Sequence, residues 1–212
     1  MNVRILPSGE AAVLVECDDL VGVLALHDAL TAAPIDGLVE LVPAARTLLV
    51  AVDPGRLPLE TAASWVRRAA AHAEARGTDP ASAATDAVTV PVVYDGADLA
   101  SAADALGVLP DELVDRHVAA IWRVAFIGFS PGFAYLVSDD WTFDVPRLAS
   151  PRTRVPAGAV GLAGTFSGAY PRESPGGWQL IGRTDATLWD PAAVSPALLA
   201  PGTTVRFARS PR

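Results

Sequence analysis

The chain has 212 residues, of which 51% are apolar and 19% charged, so it can form one large domain or two small ones. Its formal net charge is −8 and its basic residues form no cluster, so we expect no nucleic-acid partner. No run of about 18 residues is apolar throughout, and the first residues lack the apolar core of a signal peptide. These features predict no membrane span and a cytoplasmic location.

All 16 residues counted as lysine or arginine are arginine. The absence of lysine excludes a Schiff-base lysine, a carboxylated-lysine metal bridge and the phosphate-binding lysine of a Walker A loop. The single cysteine, Cys17, cannot form a disulfide within the chain, and the three histidines are too far apart for a local metal pair. We therefore expect no metal site and no cofactor bound by this chain alone.

The first 77 residues predict the element order ββαββα, which is typical of a small α/β sandwich with helices on one face of an antiparallel sheet. The predicted elements are strands at 2–6 and 10–16, a helix from Asp18 or Asp19 to Ala32, strands at 38–43 and 46–52, and a helix from Pro58 to Arg76 that stops at Gly77. Residues 78–86 are small and polar without periodicity, which predicts a boundary between domains at 1–80 and 86–212.

The second half predicts one strand, two short helices and a series of short strands bounded by turn residues. They fall at 87–96, near 98–106 and 111–119, and at 121–127, 133–137, 159–164, 178–182 and 203–207. This spacing is typical of a closed or nearly closed small β-barrel, with the helices plugging or flanking it. His117 lies on the last turn of the second helix beside an apolar stripe, which by itself favours a helix-capping or core role.

Two arginines are the first candidates for a binding or catalytic role. Arg152 and Arg154 alternate in an extended segment stiffened by Pro151 and Pro156, so we expect both side chains to point the same way. Such a pair is a good receptor for a carboxylate or phosphate, because each guanidinium can form two hydrogen bonds to the group. The alternative is a pair of surface ion pairs with nearby acidic residues.

A second polar cluster surrounds two consecutive glycines. It consists of Tyr170, Arg172, Ser174, Gly176, Gly177, Trp178 and Gln179. The two glycine N–H groups could bind an anion or oxyanion, and Gln179 could recognise an amide. The alternative is a plain hairpin at the glycines, with Trp178 in the core.

The motifs of conventional enzymes are absent from the chain. It contains no GxSxG elbow, no HExxH helix and no GxxxxGK[ST] loop. Aromatic residues are concentrated between Trp122 and Tyr135, where an interface could use them. The sequence therefore favours a half-site that another polypeptide completes.

Several motifs resemble those of one known family. They are GFSPGFAYL at 128–136, PRTRVPAGAVGLAG at 151–164, YP at 170–171, SPGGWQLIGRT at 174–184, YDG at 94–96, His117 and PG-x-x-V-x-F at 201–207. Together they resemble the allophanate hydrolase subunit 1 family, also called KipI-like or PxpB. The strong similarity covers about half of the chain, and the N-terminal half matches only in its pattern.

The resemblance implies an α+β fold, with an N-terminal ferredoxin-like α/β sandwich followed by a C-terminal cyclophilin-like β-barrel. It implies a heteromer with a KipA/PxpC-like subunit 2 and a LamB/PxpA-like subunit. In 5-oxoprolinase such subunits open 5-oxo-L-proline to L-glutamate at the expense of ATP, which implies a hydrolase complex that acts on a small amide or lactam. Other members imply two alternatives, a biotin-dependent carboxyltransferase subunit of the allophanate hydrolase or urea carboxylase type and an inhibitor of a histidine kinase.

At the positions that match the family's motifs, the resemblance implies a set of residues that face a groove shared with the partner barrel. The set is His117, Arg152, Arg154, Tyr170, Gly176, Gly177 and Gln179. In this hypothesis Arg152 or Arg154 holds a substrate carboxylate or a phosphorylated intermediate, the glycine N–H groups stabilise an oxyanion, and His117 relays a proton. The chain departs from the family pattern at Phe166-Ser167, where Gln-Thr is usual, and at Thr203, where the family has aspartate. Phe166 removes an amide from the predicted pocket wall, which leaves the exact substrate open.

Overall fold

The computed structural model describes residues 2–76 and 87–211 of the chain. It divides into two compact units, Met1–Ala83 and Ala84–Arg212. The predicted boundary segment 78–86 and the predicted helix stop at Gly77 lie outside the described residues. The domain division at 1–80 and 86–212 therefore stays a prediction.

The first unit is a four-stranded antiparallel sheet with two helices. Its elements are β1 (Val3–Pro7), β2 (Ala12–Cys17), α1 (Leu20–Ala32), β3 (Leu38–Pro43), β4 (Thr47–Val52) and α2 (Leu59–Arg76). The strands lie in the order β1-β2-β4-β3, and every neighbouring pair is antiparallel. The predicted order ββαββα is confirmed, whereas the ferredoxin-like fold of this unit stays a prediction.

One face of this sheet forms the core of the first unit. Alternate residues of two neighbouring strands are buried, as the two-residue period of a strand requires. They are Val13, Val15 and Cys17 on β2, and Leu48, Val50 and Val52 on β4. Leu26 and Leu30 of α1 and Val66 of α2 belong to the same buried cluster. Burial raises the pKa of the Cys17 thiol, with Asp18 and Asp19 acting in the same direction, which disfavours the reactive thiolate.

The helix start predicted at Asp18 or Asp19 is found at Asp19. The Asp19 carboxylate accepts a hydrogen bond of 2.8 Å from the N–H of Gly22. The first turn of a helix has N–H groups without partners in the helix, and a carboxylate in this position satisfies one of them. The cap therefore fixes where the chain leaves β2 and begins α1.

The second unit is built around a seven-stranded sheet. Its elements are β5 (Val88–Val92), α3 (Leu99–Ala105), α4 (Pro110–Ala119), β6 (Trp122–Ile127), β7 (Ala134–Val137), β8 (Arg152–Val155), β9 (Ala159–Ala163), β10 (Phe166–Ala169), β11 (Ser174–Gly176), β12 (Gln179–Arg183) and β13 (Thr204–Arg209). The large sheet has the order β12-β9-β10-β7-β6-β13-β5, and β11 and β8 form a separate two-stranded ribbon. The sequence patterns do not predict β10 and β11, which have only 4 and 3 residues.

The two outer strands of the large sheet, β12 and β5, meet and nearly close it into a barrel. Val93 and Arg183 exchange two backbone hydrogen bonds of 2.9 Å. The chain then continues beside β12, where the N–H of Gly96 donates to the carbonyl of Ile181 at 3.2 Å and the N–H of Asp98 donates to that of Leu180 at 2.9 Å. We call residues 93–98 the closing segment. The predicted nearly closed barrel is confirmed, and its description as cyclophilin-like stays a prediction.

The barrel interior holds the larger core of the second unit. Its fully buried large side chains include Trp122, Leu136, Leu162, Ile181 and Phe207, each from a different strand. A smaller buried cluster contains Phe133, Tyr170 and Trp178. The sequence analysis considered the aromatic residues between Trp122 and Tyr135 as possible interface residues. Three of them, Trp122, Phe126 and Phe133, are buried core residues. Within the described residues, no helix is long and apolar enough to cross a membrane.

The closing segment yields a first prediction, on stability. A Cβ atom at Gly96 would overlap the backbone carbonyl of Leu180, so the Gly96→Ala variant cannot keep the closing segment against β12. We expect a loss of about 1–3 kcal/mol in the free energy of unfolding, measured by urea denaturation. Gly128→Ala is the matched control, because its Cβ would meet the Tyr135 and Phe126 rings only at ordinary contact distances of 3.5–3.8 Å. Equal stability of the two variants would contradict the prediction.

Candidate functional site

His117 lies inside the barrel and bonds through both ring nitrogens. The Tyr94 hydroxyl is 2.8 Å from Nδ1, and the Ser167 hydroxyl is 2.8 Å from Nε2. Neither His117 nor Ser167 has any exposed surface, whereas Tyr94 is partly exposed. A neutral imidazole donates from one nitrogen and accepts at the other, so two hydroxyl partners satisfy it completely.

Aromatic rings surround the His117 imidazole. The Phe207 ring stacks on it at 4.4 Å between centroids, and the Trp122, Tyr94 and Trp141 rings lie at 5.1–5.9 Å. Burial lowers the pKa of His117 to about 3, so the ring is neutral near pH 7. The core position, which the helix pattern favoured, replaces the groove-facing position that the resemblance implied. The physical reason is that α4 packs its apolar stripe, including Leu113 and Val114, inward with the histidine.

Arg152 reaches from β8 to the end of the closing segment. Its Nη2 donates to Asp98 Oδ1 at 2.6 Å, and the two side chains are only 30% and 9% exposed. The second Asp98 oxygen, Oδ2, accepts the N–H of Leu180 at 2.8 Å. Arg152 Nη1 is buried and has no hydrogen-bond partner among the described residues. Arg152 thus forms an ion pair, but not the surface pair with a nearby acid that the alternative described, because Asp98 is distant in sequence and nearly buried.

Arg154 lies two residues further along β8 in a different environment. Its Nε donates to Glu173 Oε1 at 2.9 Å, and its side chain is 77% exposed. This is the surface ion pair that the alternative described. The two arginines bond to acids on different parts of the unit, so the structure does not bring them together on one ligand as a preformed pair.

Tyr170 contacts the segment that contains Gly176 and Gly177, which we call the glycine segment. The Tyr170 side chain is buried, and its hydroxyl lies so close to Gly176 that a Cβ there would collide with it. Burial raises the pKa of Tyr170 to about 12, an effect opposed by Arg147, by the N–H of Trp178 and by Arg152. The phenol is therefore neutral near pH 7 and contacts protein rather than solvent.

The remaining predicted site residues are Gly176, Gly177 and Gln179. Gly176 pairs with Arg152 across the β11–β8 ribbon, and the carbonyl of Gly177 accepts the N–H of Leu148 at 2.9 Å. Gln179 donates from Nε2 to the carbonyl of Pro146 at 3.1 Å, while its buried Oε1 has no partner among the described residues. The role of the glycine N–H groups as oxyanion donors stays a prediction.

The structure thus gathers four residues, which we call the arginine site: Asp98, Arg152, Tyr170 and Gly176. Sequence reasoning missed Asp98, because an aspartate directly before a helix is typical of a helix start. The side chain makes no capping bond to α3, so helix capping does not explain it. Tyr94 and Ser167, the partners of His117, stand out in the sequence only as parts of motifs, and nothing in their spacing links them to the histidine.

A strained loop precedes β7. Among the residues that the structure describes, Phe129 is the one non-glycine residue with a left-handed backbone, at φ 65°. The N–H of Ser130 donates to the carbonyl of Gly128 at 2.7 Å, which makes the loop a γ-turn, a strained conformation. The Phe129 side chain is 58% exposed, and its ring lies 6.4 Å from that of Tyr170. It is the exposed member of the aromatic residues that the sequence offered for an interface.

Within residues 2–76 and 87–211, no group of three or more histidine, cysteine, aspartate or glutamate side chains could hold a metal ion. The acids of the connector before β8, Asp139, Asp140 and Asp144, are exposed to solvent.

Comparison with known proteins identifies the family to which the chain belongs. Residues 3–199 match the family model "Carboxyltransferase domain, subdomain C and D". The B subunit of 5-oxoprolinase from Escherichia coli O157:H7 is 48% identical over 123 residues, which are 57% of this chain. The B subunit of 5-oxoprolinase from Bacillus subtilis strain 168 is 35% identical over 185 residues, or 83% of this chain and 77% of that protein. The chain belongs to this carboxyltransferase-domain family, in the PxpB group that contains these 5-oxoprolinase components.

The matches cover very different shares of the relatives. The aligned region spans 56% of the length of the E. coli protein. The crystal structure of TTHA0988 has a TM-score of 0.74 and 33% identity over 95% of this chain, but only 40% of that chain is covered. The Kluyveromyces lactis urea carboxylase has a TM-score of 0.67 at 19% identity, with 22% of its length covered, and shares the fold alone.

The burial of the His117 imidazole leads to a prediction of how the free energy of unfolding depends on pH. The unfolded chain binds a proton at His117 below about pH 6.5, whereas the folded chain does so only near pH 3. Between these values the unfolded state binds more protons, so this group lowers the free energy of unfolding as pH falls, by up to about 1.4 kcal/mol per pH unit. We expect His117→Gln to remove this part of the slope, measured by urea denaturation from pH 7 to pH 4.

His72→Gln is the matched control, because His72 is exposed on α2 and its loss should leave the slope unchanged. If His117→Gln does not fold, the imidazole of the wild-type chain can be followed by NMR. A His117 resonance that titrates near pH 6.5 would contradict the prediction.

Proposed function

We propose that the chain is a cytoplasmic subunit of an ATP-dependent 5-oxoprolinase, which opens 5-oxo-L-proline to L-glutamate, and that it is inactive alone. In this proposal it forms a shared site with a KipA/PxpC-like subunit and works with a LamB/PxpA-like subunit. The observation that carries the proposal is the 35% identity to the B subunit of a 5-oxoprolinase over 83% of the chain. ATP is used by the complex, and no cofactor is assigned to this chain.

The geometry supports a half-site rather than a complete one. The nitrogens of His117 bond to two hydroxyls in the barrel core, so the imidazole activates no exposed nucleophile. The arginine site and the glycine segment beside it can bind an anion and stabilise charge. Their one carboxylate, Asp98, already accepts Arg152 and the N–H of Leu180, so it is poorly placed to act as a general base for attack on a lactam.

Each predicted residue has a place in the proposal. An arginine of β8, Arg152 or Arg154, holds the substrate carboxylate or a phosphorylated intermediate. Tyr170 keeps Gly176 and Gly177 in the position where their N–H groups meet a developing oxyanion. Gln179 recognises the amide. A proton relay through His117 would have to run by way of Tyr94, because Tyr94 alone of the three linked residues has exposed surface.

A second candidate function is supported by the description of the matching family model. A carboxyltransferase subunit of the allophanate hydrolase or urea carboxylase type would act on biotin-borne carboxylate, and the shared fold with the K. lactis urea carboxylase fits it. At 19% identity that likeness concerns the fold, so the 5-oxoprolinase subunit remains the proposal.

The test is reconstitution of the complex. We expect the chain co-expressed with its two partner subunits to hydrolyse ATP only when 5-oxoproline is present, with L-glutamate formed in equal amount. The isolated chain, as control, should form no product. A correctly assembled complex without turnover would overturn the proposal, and carboxyl transfer from biotinylated protein by that complex would favour the second candidate.

A further inference from the structure

We propose that Asp98 is a positioning residue that makes Arg152, rather than Arg154, the cation that binds the substrate carboxylate. The proposal rests on the proposed function and deepens it, because it names the cation, the residue that orients it and the class of group it binds. That group is the carboxylate of a small lactam acid.

Asp98 uses both carboxylate oxygens in a nearly buried position. Oδ1 accepts Arg152 Nη2 at 2.6 Å, and Oδ2 accepts the N–H of Leu180 at 2.8 Å. Its own N–H donates to the carbonyl of Leu180 at 2.9 Å, so backbone and side chain hold the residue against β12. Because the carboxylate cannot turn without losing a bond, it is a fixed acceptor that sets the plane of the guanidinium.

The Arg152 guanidinium keeps donors that protein groups do not use. Nη2 is taken by Asp98, but Nη1 is buried and without a partner among the described residues. A guanidinium N–H that lies below the surface without an acceptor is unfavourable, and an arriving carboxylate oxygen removes that penalty. The Arg152 side chain as a whole remains 30% exposed, although its Nη1 atom is buried.

The surroundings of Arg152 favour an anion. Arg152 and Arg147 both lower the pKa of the Tyr170 phenol, so two guanidinium groups act on this side chain. Tyr170 is neutral near pH 7, and Arg147 adds positive charge. With one carboxylate, Asp98, beside Arg152 and a second guanidinium near Tyr170, the local charge favours an anionic ligand.

Arg154 has none of these properties. It is 77% exposed, and the half-exposed Glu173 carboxylate already takes two of its nitrogens, Nε at 2.9 Å and Nη2 at 2.8 Å. An exposed pair of this kind is screened by solvent and can rearrange freely. A ligand at Arg154 would compete with Glu173 for the Nε and Nη2 side of the guanidinium, whereas at Arg152 it completes the existing bonds.

The experiment compares variants in the reconstituted complex. Asp98→Asn keeps an oxygen for the Leu180 N–H but removes the charge that orients Arg152, and Arg152→Lys keeps the charge but removes the planar fork. We expect each to raise KM for 5-oxoproline by about tenfold or more, with a smaller change in kcat. The matched control is Asp95→Asn, which removes another aspartate–arginine pair of the closing segment, Asp95 with Arg183 at 3.2 Å.

A second readout separates carboxylate recognition from a merely structural role. 2-Pyrrolidinone is the same lactam without the carboxylate, and its inhibition constant should be the same in the wild-type, Asp98→Asn and Arg152→Lys complexes. Equal weakening of both ligands would overturn the proposal, because it would show general damage to the site. If Asp98→Asn does not assemble, the comparison of Arg152→Lys with Arg154→Lys decides.

The outcomes distinguish the inference from the function on which it rests. A wild-type complex with no 5-oxoproline-dependent ATP hydrolysis overturns the proposed function and the carboxylate assignment together. An active wild-type complex in which Asp98→Asn and Arg152→Lys leave KM unchanged overturns the inference alone. A larger rise in KM for Arg154→Lys than for Arg152→Lys would also overturn it, because Arg154 would then be the cation.

Discussion

The second unit depends on the pairing of its closing segment with β12. A sheet edge exposes N–H and carbonyl groups without partners, and a barrel removes that problem by joining its outer strands. Here the joining residues are few, because the chain turns into α3 directly after Asp98. The Asp98 carboxylate therefore accepts the Leu180 N–H that a further strand residue would otherwise have taken. The Asp98 side chain thus has two roles: it completes the closure of the barrel, and it holds Arg152 in the arginine site.

The inside of the barrel is aromatic around one polar layer. Tyr94, His117 and Ser167 connect the closing segment, α4 and β10 through two hydrogen bonds. Such a network is favourable only when every member has a partner, and here the imidazole has one on each nitrogen. The resemblance implies a threonine at position 167, and the Ser167 hydroxyl bonds to His117 as a threonine hydroxyl could. The departure that the resemblance implies at 166–167 therefore concerns Phe166 more than the hydrogen bonds of this polar layer.

Much of the fold follows from local sequence patterns. Alternating apolar residues and turn residues locate the strands of the first unit within one or two residues, and Asp19 caps α1 where its position suggests. The short β10 and β11 escape prediction, because their serine, glycine and proline residues show no apolar alternation. The site is harder to predict. The arginines are recognisable as an alternating pair, but their different partners, Asp98 and Glu173, depend on which strands meet in space, and no local pattern records that.

The position of β13 has a consequence for how the protein is made. This strand is the last of the barrel in the chain, yet it lies between β5 and β6, and its Phe207 stacks on the His117 ring. A ribosome delivers the chain from its N-terminus, so the first unit, whose strands pair with near neighbours in sequence, can fold while synthesis continues. The second unit has to wait with an incomplete wall until residues 204–209 emerge. During that interval the apolar interior and two strand edges are uncovered, which makes this stage of synthesis the one that most needs protection from aggregation.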